Sequence, residues 1–228
     1  MVAGTNLAEI GALVGDPGRA NMLSAMFDGR ALTAGELAHI AGVSAATASG
    51  HLAKLVQGRL VSVESQGRHR YFRLASAEVA HMLETIGAAV EASPEGRRAT
   101  PRVPMHLREA RTCYDHLAGR LGVALADGLA ERGAIVLDGE GARMTDAGRA
   151  LFDRLGVGFA IHSGSRRPVC RACLDWSERR PHLAGAVGQG LLDRSLALGW
   201  VRRGREPREI VITDTGRRRF AEDLGAVL

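Results

Sequence analysis

A mainly α-helical chain carrying short β-hairpins, in the α+β class, is the fold this sequence predicts: one helix-rich domain followed by a duplicated one. Three observations carry that prediction. Apolar residues recur at helical spacing through most of residues 5–92, interrupted by one strand-period stretch, VSVESQGRHRYFRL. A segment rich in proline and arginine, SPEGRRATPRVPM, breaks the pattern after residue 92. Beyond it the chain matches itself, HLAGRLGVALADGLAERGAIVL (116–137) aligning without a gap on HLAGAVGQGLLDRSLALGWVRR (182–203). The expected division is therefore a domain at 1–92, a linker at 93–104 and a duplicated domain at 105–228, with units at about 105–158 and 168–228.

Composition narrows the classes. At 228 residues, 46% hydrophobic and 24% charged, the chain has the make-up of an ordinary globular protein. No run approaches the roughly 18 apolar residues of a membrane span. The opening MVAGTNLAEIGALVGD has no basic stretch ahead of an apolar core, and three cysteines suit a reducing compartment, so a cytoplasmic location is expected. The net charge of +5 suits a polyanion such as DNA. Every basic residue except Lys54 is arginine, however, which a GC-rich coding bias also produces, so the placement of the arginines says more than their sum.

The first elements follow from local chemistry. Residues 5–16 and 18–27 have the spacing of short helices, with Pro17 at the junction. Thr33 caps a helix to Ala41, and Glu36 at its third position completes a capping box. Gly42 permits a tight turn, after which Ser44 caps a second helix to about Gln57. On that helix Thr47, Leu52, Leu55 and Val56 face inward in part, while Ser44, Ala45, Ala46, Ser49, Gly50 and His51 are small or polar. A small polar face lets a helix backbone approach base edges in the DNA major groove, as the second helix of a helix-turn-helix does. VSVES and RYFRLA alternate as strands about Gly67, and the hairpin tip carries Arg68, His69 and Arg70, which suit phosphates or the minor groove. Ser76 caps a closing amphipathic helix to residue 92.

This order of elements, and above all GVSAATASGHLAKLVQGRLV followed by GRHRYFRL, resembles the ArsR/SmtB family of winged-helix repressors over residues 5–92. The resemblance implies a winged helix-turn-helix that dimerises through its first and last helices, binds operator DNA and is released by an inducer, often a metal ion. It implies groove-facing positions at Ser44, Ala45, Thr47, Ser49 and His51, with Lys54 joining them and Arg68, His69 and Arg70 on the wing. The usual metal sites of the family find no match. AGELAHIAG has no cysteine pair, and the last helix offers only His81 and Glu84, too few for a four-ligand site. A winged helix used purely for protein contacts, a scaffold without specific DNA binding, is the alternative.

Each copy of the second half decodes alike. A helix ends at a glycine (Gly133, Gly199), two short strands follow, and Thr145 or Thr213 caps a closing helix within a shared T-D-x-G-R. These are winged-helix parts, so a tandem of two winged-helix-like units about a pseudo-twofold axis is expected. R-x-C-x-D precedes HLAG in both copies, directly at Arg111–Asp115 and across the extra WSERRP at Arg171–Asp175, and His116 and His182 are expected to open equivalent helices.

Three readings of the cysteines stand side by side. Cys113, Cys170 and Cys173, with His116 or His182, gather around zinc or arsenite. Alternatively Cys170 and Cys173 form a redox pair with thiol pKa values lowered by Arg166, Arg167 and Arg171. In the third reading Cys113 and Cys173 are buried packing residues and the Arg and Asp of each motif make hydrogen bonds within the domain, a reading symmetric retention favours for the two cysteines, leaving Cys170 as the sulfur without a counterpart. Trp176, His182 and the cleft between the copies are a further candidate, for an organic ligand. No phosphate loop, HExxH or GxSxG is present, so an enzyme is not expected. The expected function is a homodimeric, DNA-binding transcriptional repressor whose second domain carries sensing or regulates the dimer, with release by an inducer, thiol oxidation or a metal or metalloid.

Overall fold

The computed structural model describes residues 3–67, 69–92, 104–138, 141–158 and 168–228. The expected linker, apart from Pro104, lies outside these residues, as do Arg68, Arg166 and Arg167. The chain forms two compact units, Met1–Leu83 and Glu84–Leu228.

In the first unit α1 (Ala3–Val14) leads to α2 (Pro17–Ala25), whose cap, Asp16, accepts the Arg19 amide at 2.9 Å, with Pro17 in the first turn where its missing N–H costs nothing. The two-residue strand β1 (Leu32–Thr33) precedes α3 (Ala34–Ala41). The capping box forms as expected: Glu36 Oε2 accepts the Thr33 amide at 2.8 Å, and Thr33 Oγ1 accepts the Glu36 amide at 3.4 Å. Gly42, at φ +66°, turns the chain into α4 (Ala45–Gln57), where Ser44 Oγ accepts the Thr47 amide at 3.2 Å. Strands β2 (Val61–Gln66) and β3 (His69–Leu74) pair antiparallel, and β1 joins the far side of β3 with Leu32 opposite Phe72. Ser76 then caps α5 (Ala77–Ala92), accepting the Val79 amide at 3.3 Å. Met22, Leu23, Leu37, Leu52, Leu55 and Phe72 form the buried interior beneath these elements.

The second unit contains two equivalent series. The first runs α6 (Met105–Glu109), β4 (Arg111–Cys113), β5 (His116–Ala118), α7 (Gly119–Glu131), β6 (Ile135–Asp138), β7 (Gly141–Met144) and α8 (Asp146–Leu155). The second runs β8 (Arg171–Leu174), β9 (Pro181–Ala184), α9 (Gly185–Ala197), β10 (Val201–Arg203), β11 (Ile210–Ile212) and α10 (Asp214–Leu224). Thr145 and Thr213 play identical parts, each accepting an amide (Gly148 at 3.0 Å, Gly216 at 2.9 Å) and donating to the carbonyl of the helix-ending glycine (Gly133 at 2.7 Å, Gly199 at 2.8 Å).

One expectation changes here. His116 and His182 do not open helices: they lie on the second strands of the hairpins β4–β5 and β8–β9, three residues ahead of α7 and α9. The hairpins exchange partners across the repeat, α7 packing on β9 and α9 on β5. The approach is close because Gly122 and Gly188 lack side chains. A Cβ on Gly188 would stand 2.4 Å from the Leu183 carbonyl oxygen and 3.2 Å from His116 Cβ; on Gly122 it would stand 2.6 Å from the Leu117 oxygen and 3.3 Å from His182 Cβ. A single apolar core, including Leu121, Leu125, Phe152, Val187, Leu191 and Phe220, draws on both repeats.

Candidate nucleic-acid interface and metal centre

Small residues crowd the start of α4, and they remain exposed. Ser44, Ala45, Thr47, Ser49 and Lys54 are all at the surface, while Ala48, Leu52 and Leu55 anchor the opposite side. Thr47, expected to turn partly inward, instead has its hydroxyl 2.9 Å from Ser44 Oγ, and Ala48 fills the buried position. His51 departs further from expectation. Its ring turns toward α2, where Arg19 Nη1 lies 3.2 Å from Nδ1 and Asp16 Oδ1 lies 3.7 Å from Nε2. An arginine only donates, so Nδ1 is the acceptor and Nε2 carries the proton. The same guanidinium donates to the Leu13 and Ala12 carbonyls at 2.6 and 2.7 Å, satisfying the end of α1. His51 thus belongs to the joint that holds α1, α2 and α4 together.

At the wing, Gln66 pairs with His69, and Gly67 lies at φ +59°. His69 and Arg70 are exposed, His69 tilted against Tyr71 and Arg70 with its guanidinium carbon 5.3 Å from the Phe72 ring centre.

The second unit holds a different kind of site. Within each hairpin a cysteine stands directly opposite a histidine, Cys113 facing His116 and Cys173 facing His182. Directly opposed residues of an antiparallel pair project from the same face, so each hairpin presents one sulfur and one imidazole together. The repeat brings the two faces into contact. The sulfurs are 3.7 Å apart, the two Nε2 atoms 3.1 Å apart, and one ligand atom from each residue lies within 4.8 Å of every other. All four side chains are at most 3% exposed. Cys113, His116, Cys173 and His182 are a group able to hold a metal ion.

A shell of charged partners surrounds the four. Asp115 Oδ1 lies 3.2 Å from His116 Nδ1, and Asp175 Oδ2 lies 3.4 Å from His182 Nδ1. Asp175 also accepts the Gly119 amide at 2.7 Å and Arg111 Nη2 at 2.9 Å. Arg111, buried like Asp175, lies under the Trp176 ring at 4.4 Å and donates to Ser177 Oγ at 3.0 Å. The extra WSERRP segment therefore builds one wall around the Arg111–Asp175 pair. On the other side the Glu84 carboxylate accepts the Cys113 thiol, and its second oxygen accepts Arg208 Nη2 at 3.0 Å.

These surroundings shift the protonation equilibria. Burial disfavours a charged His116, yet the bond to Asp115 and the neighbouring Cys173 sulfur outweigh it and raise the pKa to about 9. Burial, the Cys173 sulfur and Glu84 push the Cys113 thiol well up. Burial alone would raise Asp175, but the charges of Arg111 and His182 hold it well below the usual carboxylate range.

Comparison with known proteins decides the family. Residues 16–63 match the family described as bacterial regulatory protein, arsR family. Over 219 residues, 96% of this chain and 97% of the relative, the sequence is 40% identical to the uncharacterized HTH-type transcriptional regulator YdfF of Bacillus subtilis (strain 168). The chain belongs to the ArsR family. It is a DNA-binding transcriptional regulator, and the likeness to its Bacillus relative extends across the duplicated half. Among solved structures, the homodimeric winged helix-turn-helix DNA-binding domain of Mb0332 from Mycobacterium bovis is 24% identical, with 40% of this chain and 84% of that one covered, at a TM-score of 0.36. NolR from Sinorhizobium fredii is 24% identical (40% and 89% covered, TM-score 0.36), and the transcriptional repressor BigR from Xylella fastidiosa 19% identical (40% and 91%, TM-score 0.35). Among the described residues of this ArsR-family chain, no helix is long and apolar enough to cross a membrane.

Of the cysteine and histidine candidates, the fold brings four together and leaves Cys170 out. Cys170 packs against the apolar core, and burial pushes its thiol up to about 11 instead of lowering it as a redox pair would require. The sulfur near Cys173 is Cys113, 60 residues away in sequence. His182 is buried and so lines no open cleft, and Trp176 covers Arg111. A cavity of about 530 Å³ opens elsewhere in the unit, between Met105, Glu109, Arg120, Arg217, Val227 and Leu228. The Arg and Asp of the repeated R-x-C-x-D were expected to make hydrogen bonds within the domain, and Arg111 and Asp175 do; what the sequence did not reveal is that these residues surround a Cys/His cluster.

Proposed function

We propose that this regulator is a homodimeric, cytoplasmic repressor without a catalytic role. It grips a palindromic operator through α4 and the wing and is released by an effector acting on the second unit. The observation that supports the DNA contact is the exposed run of small side chains at the start of α4, where bulk would hold the helix out of the groove. In this reading Ser44, Ala45, Thr47 and Ser49 approach base edges, while Lys54, Arg68, His69 and Arg70 neutralise phosphates. His51 supports α4 from behind. The effector is a thiophilic species, and the Cys/His cluster favours a zinc-class ion over arsenite or oxidation of a Cys170–Cys173 pair, because Cys170 stands apart.

The test is fluorescence anisotropy with duplexes from the regulator's own upstream region, across a range of salt. Each lost phosphate contact lowers the slope of log K against log salt by about 0.9, so Arg68→Ala with Arg70→Ala is expected to flatten it by roughly 2. Sedimentation of the complex should give two chains per palindrome. A chain that forms no sequence-specific complex at any salt is a protein-contact scaffold, and the repressor reading is then wrong.

A further inference from the structure

We propose that Cys113, His116, Cys173 and His182 form a four-coordinate site for one zinc-class divalent ion, each repeat supplying one sulfur and one nitrogen. The proposal deepens the effector reading above, on which its regulatory meaning rests; the site itself stands on geometry. A tetrahedral zinc ion with bonds of roughly 2.3 Å to sulfur and 2.0–2.1 Å to nitrogen sets its ligands at edges of about 3.8 Å between sulfurs and about 3.3 Å between nitrogens. The sulfurs here are 3.7 Å apart and the facing nitrogens 3.1 Å apart.

The imidazoles are also oriented for binding. Carboxylates only accept, and Asp115 and Asp175 each stand beside an Nδ1. With the Nδ1 edge of each ring turned toward a carboxylate, Nε2 is the nitrogen each ring presents to the other and to a metal. Two thiolates and a divalent cation sum to zero, which removes the cost of burying the charges. A packing role accounts for small side chains, and a hydrogen bond between the Nε2 atoms for the facing imidazoles, but neither gives a reason for two sulfurs and two nitrogens to gather within 4.8 Å of one another. A trigonal metalloid site needs three thiolates, and the third sulfur, Cys170, is not in the cluster but half-buried against the apolar core.

The ion is also the one ligand class that suits the duplication. Neither hairpin offers more than two donors, so a closed four-ligand shell exists only when the repeats are docked. With every ligand buried, exchange is expected to be slow, chelators stripping the ion over hours or on partial unfolding.

The experiment is cobalt(II) titration of the reduced, metal-free full chain, followed by optical absorption. One equivalent per chain is expected, with the intense visible bands of a tetrahedral ion and thiolate charge transfer in the near ultraviolet. Zinc should displace the cobalt, and arsenite should not. Cys113→Ser and His116→Gln should each weaken binding at least about a hundredfold, and Cys170→Ser should leave it unchanged. Because a core variant can fail to fold, His182→Cys provides the positive control: a third thiolate should raise the charge-transfer intensity about one and a half times. Six-coordinate cobalt spectra, stoichiometric displacement by arsenite, or loss of binding in Cys170→Ser would each overturn the site. Operator affinity measured on the same loaded and metal-free samples separates the two claims. Full loading with unchanged DNA affinity keeps the site and removes its effector role, whereas absence of loading removes the site and leaves DNA binding as it stands.

Discussion

Replacing Arg111 by methionine is expected to be the costliest single polar-to-apolar change in the second unit. Arg111 and Asp175 are 1% and 0% exposed and meet at 2.9 Å, one from each repeat. Removing the guanidinium strands a carboxylate in the interior, a perturbation that costs about 3–5 kcal/mol in buried pairs. Loss of the Trp176 stacking, at 4.4 Å, adds on the order of 1 kcal/mol. Partial compensation remains, since Asp175 keeps the Gly119 and Ser177 amides at 2.7 and 2.9 Å, which places the net cost near about 3 kcal/mol. For a unit of this size that corresponds to a fall in Tm of roughly 6–12 °C. Both tryptophans, Trp176 and Trp200, lie in this unit, so fluorescence during guanidinium unfolding reports on it alone. Asp175→Asn and the double variant complete a cycle, in which the coupling should exceed about 1.5 kcal/mol. An Arg111→Met cost below about 1 kcal/mol, or additivity in the cycle, would refute the claim that this pair clamps the repeats together.

Three further outcomes are expected. Cys170, with its thiol at about 11 against an ordinary 9.0, holds roughly a hundredfold less thiolate at neutral pH, so its alkylation should be slow at pH 7.5 and still accelerating past pH 9, as peptide mass spectrometry would show; fast labelling at neutral pH would contradict its burial. Gly188→Ala places a carbon 2.4 Å from the Leu183 carbonyl oxygen, a backbone atom that cannot give way easily, and should cost about 1–3 kcal/mol in denaturant unfolding and lower cobalt affinity by displacing His116. Asp115→Asn should keep one cobalt per chain but weaken it about 10–100-fold, because the carboxylate that orients His116 is lost; unchanged affinity would show that Asp115 plays no part.

What could be read from sequence was the chemistry that acts within a few residues. The Thr33–Glu36 capping box, the Ser44 cap, the Thr145 and Thr213 caps and the αL glycines at the helix ends all form from neighbours in the chain. What needed a distant partner was hidden. Strand β1 is two residues long and exists only because Phe72 and Tyr71 lie opposite it. Hairpin β4–β5 turns at Tyr114, in the left-handed region at φ +58°, with none of the Gly, Asn or Pro that advertise a turn. The second copy separates its cysteine from its histidine by the WSERRP insertion, so the C-x-x-H spacing of the first copy is not repeated in sequence although it is in space. His51 shows the same limit: it looks like part of a polar helix face until Arg19, 32 residues away, claims it.

The symmetric retention of Cys113 and Cys173 fits a packing role, but a shared site predicts it equally, and the facing histidines tip the balance. A duplicated hairpin that contributes one sulfur and one nitrogen is half a site, and a twofold is the simplest operation that completes it. The symmetry is then broken where a polyanionic shell would be hardest to bury. Asp175 is driven to full burial and is given Arg111 as its counter-ion, walled in by residues that only the second copy possesses, whereas its counterpart Asp115 retains some exposure. One side of the cluster also reaches Glu84, the first residue of the second unit. That carboxylate holds the hydrogen of the Cys113 thiol and the guanidinium of Arg208 together. The cluster is thus tied to each repeat by its hairpin and to Glu84 by a hydrogen bond. An arrangement that only filled space would need none of those ties.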